Sequence, residues 1–225
     1  MGFYRGPHIV TDGLVLALDA ANPTSYISGS TTWRDLSGNN NNGTLTNGPT
    51  FDSANGGSIV FDGSNDYINI STSPNLTNPL TVCAFVNTSF ITASNQVIYG
   101  PSANGSDNWF SISNNRAQIL ATQTANVNNF TITGTTIIQA NTWYYITGIV
   151  NTNVTSLYIN GVFEIASSVQ AFTIGGWAST SRIGQRATGQ LPFNGKIACI
   201  QGYNRALSDS EIQQNYNATK TRFGL

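Results

Sequence analysis

Oxygen-bearing side chains are concentrated in one irregular segment of the chain, and their chemistry suits a calcium ion. Asp35, Asn39 and Asn41 lie in a loop that contains four consecutive Asn residues, and Asp19 ends the first predicted strand. Ca2+ takes about six to eight oxygen ligands from carboxylates, amides and carbonyls. These four residues are therefore the candidate metal ligands. In the alternative interpretation, Asp35 and Ser37 only cap the turns of this loop through hydrogen bonds to the backbone.

Three aromatic side chains neighbour predicted loops and could serve as platforms on which a sugar ring stacks: Trp177, Trp109 and Tyr99. A sugar site combines such a ring with amide and hydroxyl groups, which this Asn-, Thr- and Ser-rich chain supplies. Trp177 is the strongest candidate because it lies in the flexible sequence Gly-Gly-Trp-Ala-Ser. In the alternative interpretation each ring packs in the core, where large aromatic side chains contribute most.

Residues for acid–base catalysis are scarce. Glu164 and Glu211 are the only glutamates, and His8 is the only histidine. Retaining glycosidases need two carboxyl groups about 5 Å apart, but Glu211 has the spacing of a helix-capping residue and Glu164 stands alone on a predicted hairpin. His8 lies ahead of the predicted domain, so a Ser–His–Asp site is not expected. We therefore expect a protein that is not an enzyme.

The composition argues against several classes of partner. Hydrophobic residues make up 40% of the chain, enough for a sizeable core, and charged residues make up 8%, against about 25% in an average globular protein. The net charge is −1, and without a basic stripe no nucleic-acid binding is expected. No apolar run approaches the length of a membrane helix, and residues 1–8 lack the apolar core of a signal peptide. We expect Cys83 and Cys199, which lie in apolar strand-like segments, to be buried thiols; the alternative is a disulfide, which requires their two strands to be neighbours.

Short apolar segments separated by turns predict an all-β fold, an antiparallel two-sheet β-sandwich with one short C-terminal helix. Hairpins are predicted at residues 58–70 and 156–165, and the second contains the turn-forming pair Asn160-Gly161. The strand at residues 80–87 is apolar on both faces and is expected to lie centrally in its sheet. Ser208 and Glu211 have the spacing of a capping box, which predicts the start of the helix.

Several motifs occur in a fixed order along the chain. They are Phe61-Asp-Gly63, Leu157-Tyr-Ile-Asn-Gly-Val162, Phe193-Asn-Gly195 and the segment Tyr203–Ile212. Together they resemble the laminin-G-like, concanavalin A-like lectin/glucanase jelly rolls. The resemblance covers residues 13–216 and implies a concanavalin A-like jelly roll, a fold that often carries one calcium ion. Phe85 departs from the family, which often has Trp there, and no strand carries the alternating acidic residues of the glucanases.

The amino-acid sequences near both ends, at residues 9–16 and at the final Arg222-Phe-Gly-Leu225, resemble a version of this domain that is found in bacteriophage structural proteins. The resemblance implies a non-enzymatic virion component, a capsid decoration or a fibre or tail protein, assembled in the host cytoplasm. Its expected partners are other virion proteins and further copies of itself. Residues 1–12 would form an N-terminal arm, 13–216 the domain and 217–225 a C-terminal tail. The alternative is a glycan-binding adhesin that recognises carbohydrate on the host surface.

Overall fold

The structure is a computed structural model, which describes residues 8–70, 72, 74, 76, 78–101, 109–122, 129–151, 154–168, 181–186 and 188–225. Within these residues there are sixteen β-strands, one α-helix and two short 3-10 helices. The strands are β1 (Leu14–Asp19), β2 (Thr32–Trp33), β3 (Gly43–Thr46), β4 (Thr50–Asp52), β5 (Ser58–Asp62), β6 (Tyr67–Ile70), β7 (Leu80–Thr88), β8 (Gln96–Pro101), β9 (Trp109–Ser113), β10 (Arg116–Thr122), β11 (Asn129–Thr133), β12 (Trp143–Val150), β13 (Val154–Ile159), β14 (Val162–Ser168), β15 (Ser181–Ile183) and β16 (Asn194–Tyr203). Helix α1 spans Asp209–Thr219, and the 3-10 helices span Ala54–Gly56 and Lys220–Phe223.

The strands form two antiparallel sheets that face each other. Sheet A has the order β14-β13-β12-β7-β16-β5-β4, and β1 also pairs with β16. Sheet B has the order β11-β10-β9-β8-β15-β6-β3-β2. The predicted all-β, antiparallel two-sheet sandwich with one C-terminal helix is confirmed. Strands β2, β3, β4 and β11 were not expected from the sequence, because they are short or lack a clear alternation of apolar residues.

Strand β7 is buried along its whole length, as its two apolar faces predict. On one face, Leu80, Val82 and their neighbours join the main core between the sheets. On the other face, Cys83 and Phe85 join a second apolar cluster that contains Ile212 and Tyr216 of helix α1. Since successive residues of a strand point to opposite faces, sheet A is the middle of three layers. Sheet B lies on one side of it and the helix on the other.

The C-terminal residues are part of the domain, which corrects the predicted tail at residues 217–225. Helix α1 continues to Thr219, and a 3-10 helix follows directly. The ring of Phe223 stacks on Phe85, with centroids 4.3 Å apart, and contacts Trp143 at 4.5 Å. Arg222 forms an ion pair with Asp19 at 2.9 Å. The apolar ring of Phe223 therefore completes the layer on the outer face of sheet A.

The second half of the predicted N-terminal arm also lies against the domain, which corrects the boundary placed at residue 13. Val10 is buried, and its backbone N–H donates a hydrogen bond to Asn215 Oδ1 at 2.7 Å. The Tyr203 hydroxyl donates to the carbonyl of Val10 at 3.0 Å. Gln214 donates to the carbonyl of His8 at 2.7 Å. Residues 1–7 of the arm lie outside the described residues.

One predicted hairpin is confirmed and the other is wrong. Strands β13 and β14 pair around Asn160 and Gly161, whose φ values of 52° and 79° are those of a tight hairpin turn. Strands β5 and β6, by contrast, belong to different sheets. The turn at residues 63–66 carries the chain from sheet A to sheet B, so the apolar residues of both strands face the same core. The sequence shows strand, turn and strand, but a crossing between sheets has the same pattern.

Helix α1 begins where the capping residues predicted. The Ser208 backbone N–H donates to Glu211 Oε2 at 2.8 Å, and the Ser208 hydroxyl donates to the same oxygen at 2.9 Å. Arg205 holds the same carboxylate with two nitrogens, at 2.6 and 3.0 Å. Leu207 and Ile212, which flank the cap, belong to one apolar cluster. The helix is thus fixed to sheet A by both polar and apolar contacts at its first turn.

Both cysteines are buried and free, as predicted. They lie on neighbouring strands β7 and β16. Burial raises the pKa of Cys83 to about 11 and that of Cys199 to about 12. Among the described residues, no helix has the length and apolar character needed to span a membrane.

Candidate functional site

The outer face of sheet B, the face directed away from sheet A, carries a group of polar and aromatic side chains. Ile68 and Ile70 of β6 and Ile183 of β15 point into the main core. Because side chains alternate along a strand, Tyr67, Asn69 and Arg182 point to the opposite face. All three are half-buried, so each retains a surface that a ligand could reach.

Four residues of this face lie in one row across four strands. Thr44 of β3 is opposite Asn69 of β6, Asn69 is opposite Arg182 of β15, and Arg182 is opposite Gly100 of β8. In the part of the chain that the structure describes, the side chains of Thr44 and Asn69 form no hydrogen bond. The row therefore presents a hydroxyl, an amide and a guanidinium side by side. Gly100, which has no side chain, lies at the end of the row. We call these residues the sheet B row.

Arg182 is held in place by two contacts. Its guanidinium lies 3.9 Å from the centre of the Tyr67 ring, a cation–π arrangement. Its Nη1 donates a hydrogen bond to Gln185 Oε1 at 3.0 Å, and Gln185 is buried. Among the described residues, no carboxylate forms an ion pair with Arg182. The guanidinium thus keeps most of its donors and its full positive charge available.

The structure places two of the three predicted aromatic platforms in packed positions. Tyr99 is completely buried, and its hydroxyl donates to Ser181 Oγ at 2.8 Å. Trp109 is 6% exposed, and the Arg186 guanidinium lies 5.0 Å from its ring centre. Neither ring presents a free face, so the prediction of a stacking platform at these two residues is corrected. Trp177 lies outside the described residues.

In the loop predicted to bind calcium, the carboxylate of Asp35 accepts hydrogen bonds from the protein itself. Asp35 Oδ1 accepts hydrogen bonds from the backbone N–H groups of Ala17 and Ser37, at 2.8 and 2.9 Å. Its Oδ2 accepts from the Ser37 hydroxyl at 2.7 Å and from the backbone N–H of Asn41 at 2.9 Å. Four donors therefore occupy the carboxylate that a calcium ion would need. This arrangement agrees with the alternative interpretation, in which Asp35 and Ser37 cap the turns of the loop.

The other three candidate ligands are also engaged. Asn41 and Asn39 donate through their side-chain amides to the carbonyls of Val15 and Leu14, at 2.7 and 3.4 Å. Asp19 is paired with Arg222, whose positive charge would repel a cation. Within the described ranges, no three His, Cys, Asp or Glu side chains come together. These contacts tie the loop to β1.

Both glutamates hold structural contacts. Glu164 accepts four hydrogen bonds from the backbone and hydroxyl groups of Thr135 and Thr136, at 2.6 to 2.9 Å. Desolvation acts to raise the pKa of Glu164, but these hydrogen bonds outweigh it and the pKa is lowered. Glu211 has its pKa lowered to about 2 by the hydrogen bonds from Arg205 and Ser208. Both carboxyl groups are therefore ionised at neutral pH and poorly suited to donate a proton.

A cavity lies at the edge of the sandwich, between residues 26–31 and 45–51. Its volume is about 370 Å3, near the lower end of the range for small-molecule pockets, roughly 300–1,000 Å3. Tyr26 and Phe51 lie 5.3 Å apart on its apolar side. The side chains of Ser28, Thr31 and Thr50 line it without forming hydrogen bonds in the described structure. We call this feature the edge cavity.

Solved structures share this architecture. The binding domain of Paraclostridial Mosquitocidal Protein 1 is 18% identical, with a TM-score of 0.72 over 92% of this chain and 52% of that one. Domain 4 of AbnA, a GH43 extracellular arabinanase from Geobacillus stearothermophilus solved in complex with arabinotriose, is 18% identical, with a TM-score of 0.69 over 90% of this chain and 98% of that one. The binding domain of Botulinum neurotoxin DC in complex with SialylT is 15% identical, with a TM-score of 0.72 over 93% and 52%. The chain spans about half the length of the two toxin binding domains.

No curated protein sequence matches the chain. A family model described as the concanavalin A-like lectin/glucanases superfamily matches residues 62–213. That region runs from the end of β5 into helix α1 and includes β6 and β15, which contribute Asn69 and Arg182 to the sheet B row. The match covers more than half of the chain, and the two-sheet fold agrees with it. The chain belongs to the concanavalin A-like lectin/glucanases superfamily.

Proposed function

We propose that this protein is a non-catalytic carbohydrate-binding domain whose ligand lies on the outer face of sheet B. The observation that carries the proposal is the sheet B row, in which the side chains of Thr44 and Asn69 have hydrogen-bonding groups that are not used within the described part of the chain. Sugar hydroxyls both donate and accept hydrogen bonds, and hydroxyl and amide side chains do the same. An unused row of such groups on a rigid sheet is suited to bind a saccharide.

The engagement of both glutamates supports the non-catalytic part of the proposal. A retaining glycosidase needs one carboxyl group as a nucleophile and a second with a raised pKa as an acid. Glu164 binds two threonines, Glu211 binds Arg205 and Ser208, and both have lowered pKa values. Incubation of the pure protein with β-glucans and arabinans should therefore release no reducing sugar.

The structural relatives support a carbohydrate ligand, because one is named as a complex with arabinotriose and another as a complex with SialylT. A glycan array followed by calorimetric titration tests this proposal directly. We expect Asn69→Ala and Thr44→Ala each to weaken binding of a captured glycan about five- to tenfold, since each removes one hydrogen bond worth about 1 kcal/mol. Thr24→Ala changes an exposed threonine outside sheet B and should leave the affinity unchanged.

Two outcomes would contradict the proposal in different ways. Loss of binding in a Thr31→Ala variant, with full binding retained in Thr44→Ala, would move the site to the edge cavity. Absence of binding to every glycan on the array would remove the carbohydrate function itself. Each variant is compared with the unmodified protein by circular dichroism, so that loss of fold is not mistaken for loss of binding.

The virion role stays a prediction from the resemblance to bacteriophage structural proteins. A carbohydrate-binding domain carried on a phage particle would be an adhesin, so the two roles are compatible. Mass spectrometry of purified particles tests it by reporting whether this chain is in the virion and at what copy number.

A further inference from the structure

Arg182 is a positive charge that has no counter-charge among the described residues, in a chain that has few charges. Three other cations are paired with carboxylates: Lys196 with Asp52 at 2.6 Å, Arg205 with Glu211 at 2.6 Å and Arg222 with Asp19 at 2.9 Å. In the described structure Arg182 has a ring and an amide as neighbours but no carboxylate. A half-buried cation that no carboxylate neutralises is costly to keep, because partial burial removes water from the charge. Such a group is a candidate binding site for an anion.

The contacts of Arg182 also fix its orientation. The Tyr67 ring covers one face of the guanidinium, and the buried amide of Gln185 holds Nη1. A guanidinium has five N–H donors in a planar fork that matches a carboxylate with two parallel hydrogen bonds. Because the side chain is already immobilised, binding loses less conformational entropy than it would with a mobile arginine.

We propose that Arg182 binds the carboxylate of an acidic sugar, while Asn69 and Thr44 bind hydroxyl groups of the same saccharide. This inference rests on the proposed function, since it names the class of ligand for that site. Neighbouring strands lie about 4.8 Å apart, so Asn69 and Thr44 stand about one and two such spacings from Arg182. The ligand is therefore a sugar with its carboxylate at one end of the bound face and hydroxyls along the rest. An acidic peptide would use Arg182 but has no hydroxyl array for the other two residues.

The test uses matched ligands that differ in one carboxylate. Methyl glucuronide and methyl glucoside form one pair, and sialyllactose and lactose form a larger pair. We expect at least one acidic ligand to bind the full chain about tenfold more tightly than its neutral counterpart, because charge-assisted hydrogen bonds are about twice as strong as neutral ones. In Arg182→Gln the ratio within that pair should fall to about one. Arg34→Gln, which changes an exposed arginine outside the strands, should preserve the ratio.

A second measurement does not depend on the stability of a variant. In the unmodified protein, the Nε–Hε NMR signal of Arg182 should shift when the acidic ligand is added and stay in place with the neutral one. Arg182→Gln serves here only to assign that signal. An unmoved signal in the presence of bound acidic sugar would overturn the inference.

The remaining outcomes separate this inference from the proposed function. Equal binding of acidic and neutral sugars, with loss in Asn69→Ala, overturns the acidic class and leaves the carbohydrate site in place. Absence of binding to both members of both pairs overturns this inference, and the glycan array then decides the proposed function. Equal affinity for sulfated lactose and sialyllactose would overturn the assignment to a carboxylate, as would equally tight binding of an acidic peptide that lacks sugar.

Discussion

Removal of the Glu211 carboxylate should loosen helix α1 and lower the stability of the whole domain. The carboxylate accepts hydrogen bonds from the Ser208 backbone, the Ser208 hydroxyl and two nitrogens of Arg205. Glu211→Gln keeps an oxygen that can cap the helix but removes the charge. Glu211→Ala removes both. The two variants therefore separate the ion pair from the cap.

The contacts give the size of each effect. Loss of a helix cap costs about 1 kcal/mol, and a partly exposed ion pair contributes about 0.5–1 kcal/mol. The pKa of Glu211, about 2, would on its own correspond to roughly 3 kcal/mol at 1.36 kcal/mol per unit. That figure is an upper bound, because 28% of the side chain is exposed and solvent screens the charge. We expect a loss of about 1 kcal/mol in Glu211→Gln and about 2 kcal/mol in Glu211→Ala.

The pH dependence has a definite sign. The folded-state pKa of Glu211 lies below the unfolded value of about 4.3, so its contribution to stability is present above that value. The contribution is lost as the pH falls towards about 2, where the folded carboxylate also becomes protonated. The difference in unfolding free energy between the unmodified protein and Glu211→Gln should therefore shrink between pH 5 and pH 2.

Urea denaturation followed by circular dichroism at several pH values measures these differences. Asp12→Asn is the control, because Asp12 contacts the same arginine at 2.9 Å but is 86% exposed. Its substitution should cost less than about 0.5 kcal/mol. Equal losses in Asp12→Asn and Glu211→Ala, or a gap for Glu211→Gln that is constant from pH 7 to pH 2, would refute this account of the helix start.

Three further experiments test the packing and the loops. Cys83 and Cys199 should resist a thiol reagent in the folded protein and react on unfolding, because burial raises their pKa values to about 11 and 12; fast reaction of the native protein would contradict their burial. Phe223→Ala should cost about 2 kcal/mol in a denaturation experiment, because its ring packs on sheet A, whereas Leu225→Ala at an exposed position should cost little; equal losses would count against the packed C-terminus. Because four donors already occupy the Asp35 carboxylate, neither EDTA nor added Ca2+ should shift the melting temperature, and a calcium-dependent rise would restore the predicted metal site.

The features that the sequence predicted well depend on residues close together in the chain. Asn160-Gly161 specifies its turn through the backbone preferences of two adjacent residues. Ser208 and Glu211 specify the helix start through a spacing of three. The crossing between β5 and β6 depends on which distant strands each one joins, namely β16 and β15. Local sequence carries no information on that choice, so the hairpin prediction was wrong.

The candidate site was harder to predict for the same reason. The pattern Tyr-Ile-Asn-Ile at residues 67–70 marks Asn69 as a residue that faces away from the core, and Arg182 stands beside the core residue Ile183 in a short strand. Each was a weak signal on its own. Only the pairing of β3, β6, β15 and β8 places Thr44, Asn69 and Arg182 in one row. The aromatic candidates were chosen for their nearness to loops, which does not determine the face of a strand.

Strands β5 and β1 both pair with β16, and this pairing limits when sheet A can form during synthesis. Strand β5 pairs with residues 194–197 of β16, and β1 pairs with residues 199–203 along the same edge. Among the described strands, β1 is synthesised first and its partner β16 is synthesised last. The apolar residues of β1 therefore lack their native neighbour until β16 has been synthesised. Pairing over such a long stretch of chain slows folding, so we expect the nascent chain to stay unfolded or bound to chaperones until the helix that follows β16 is complete.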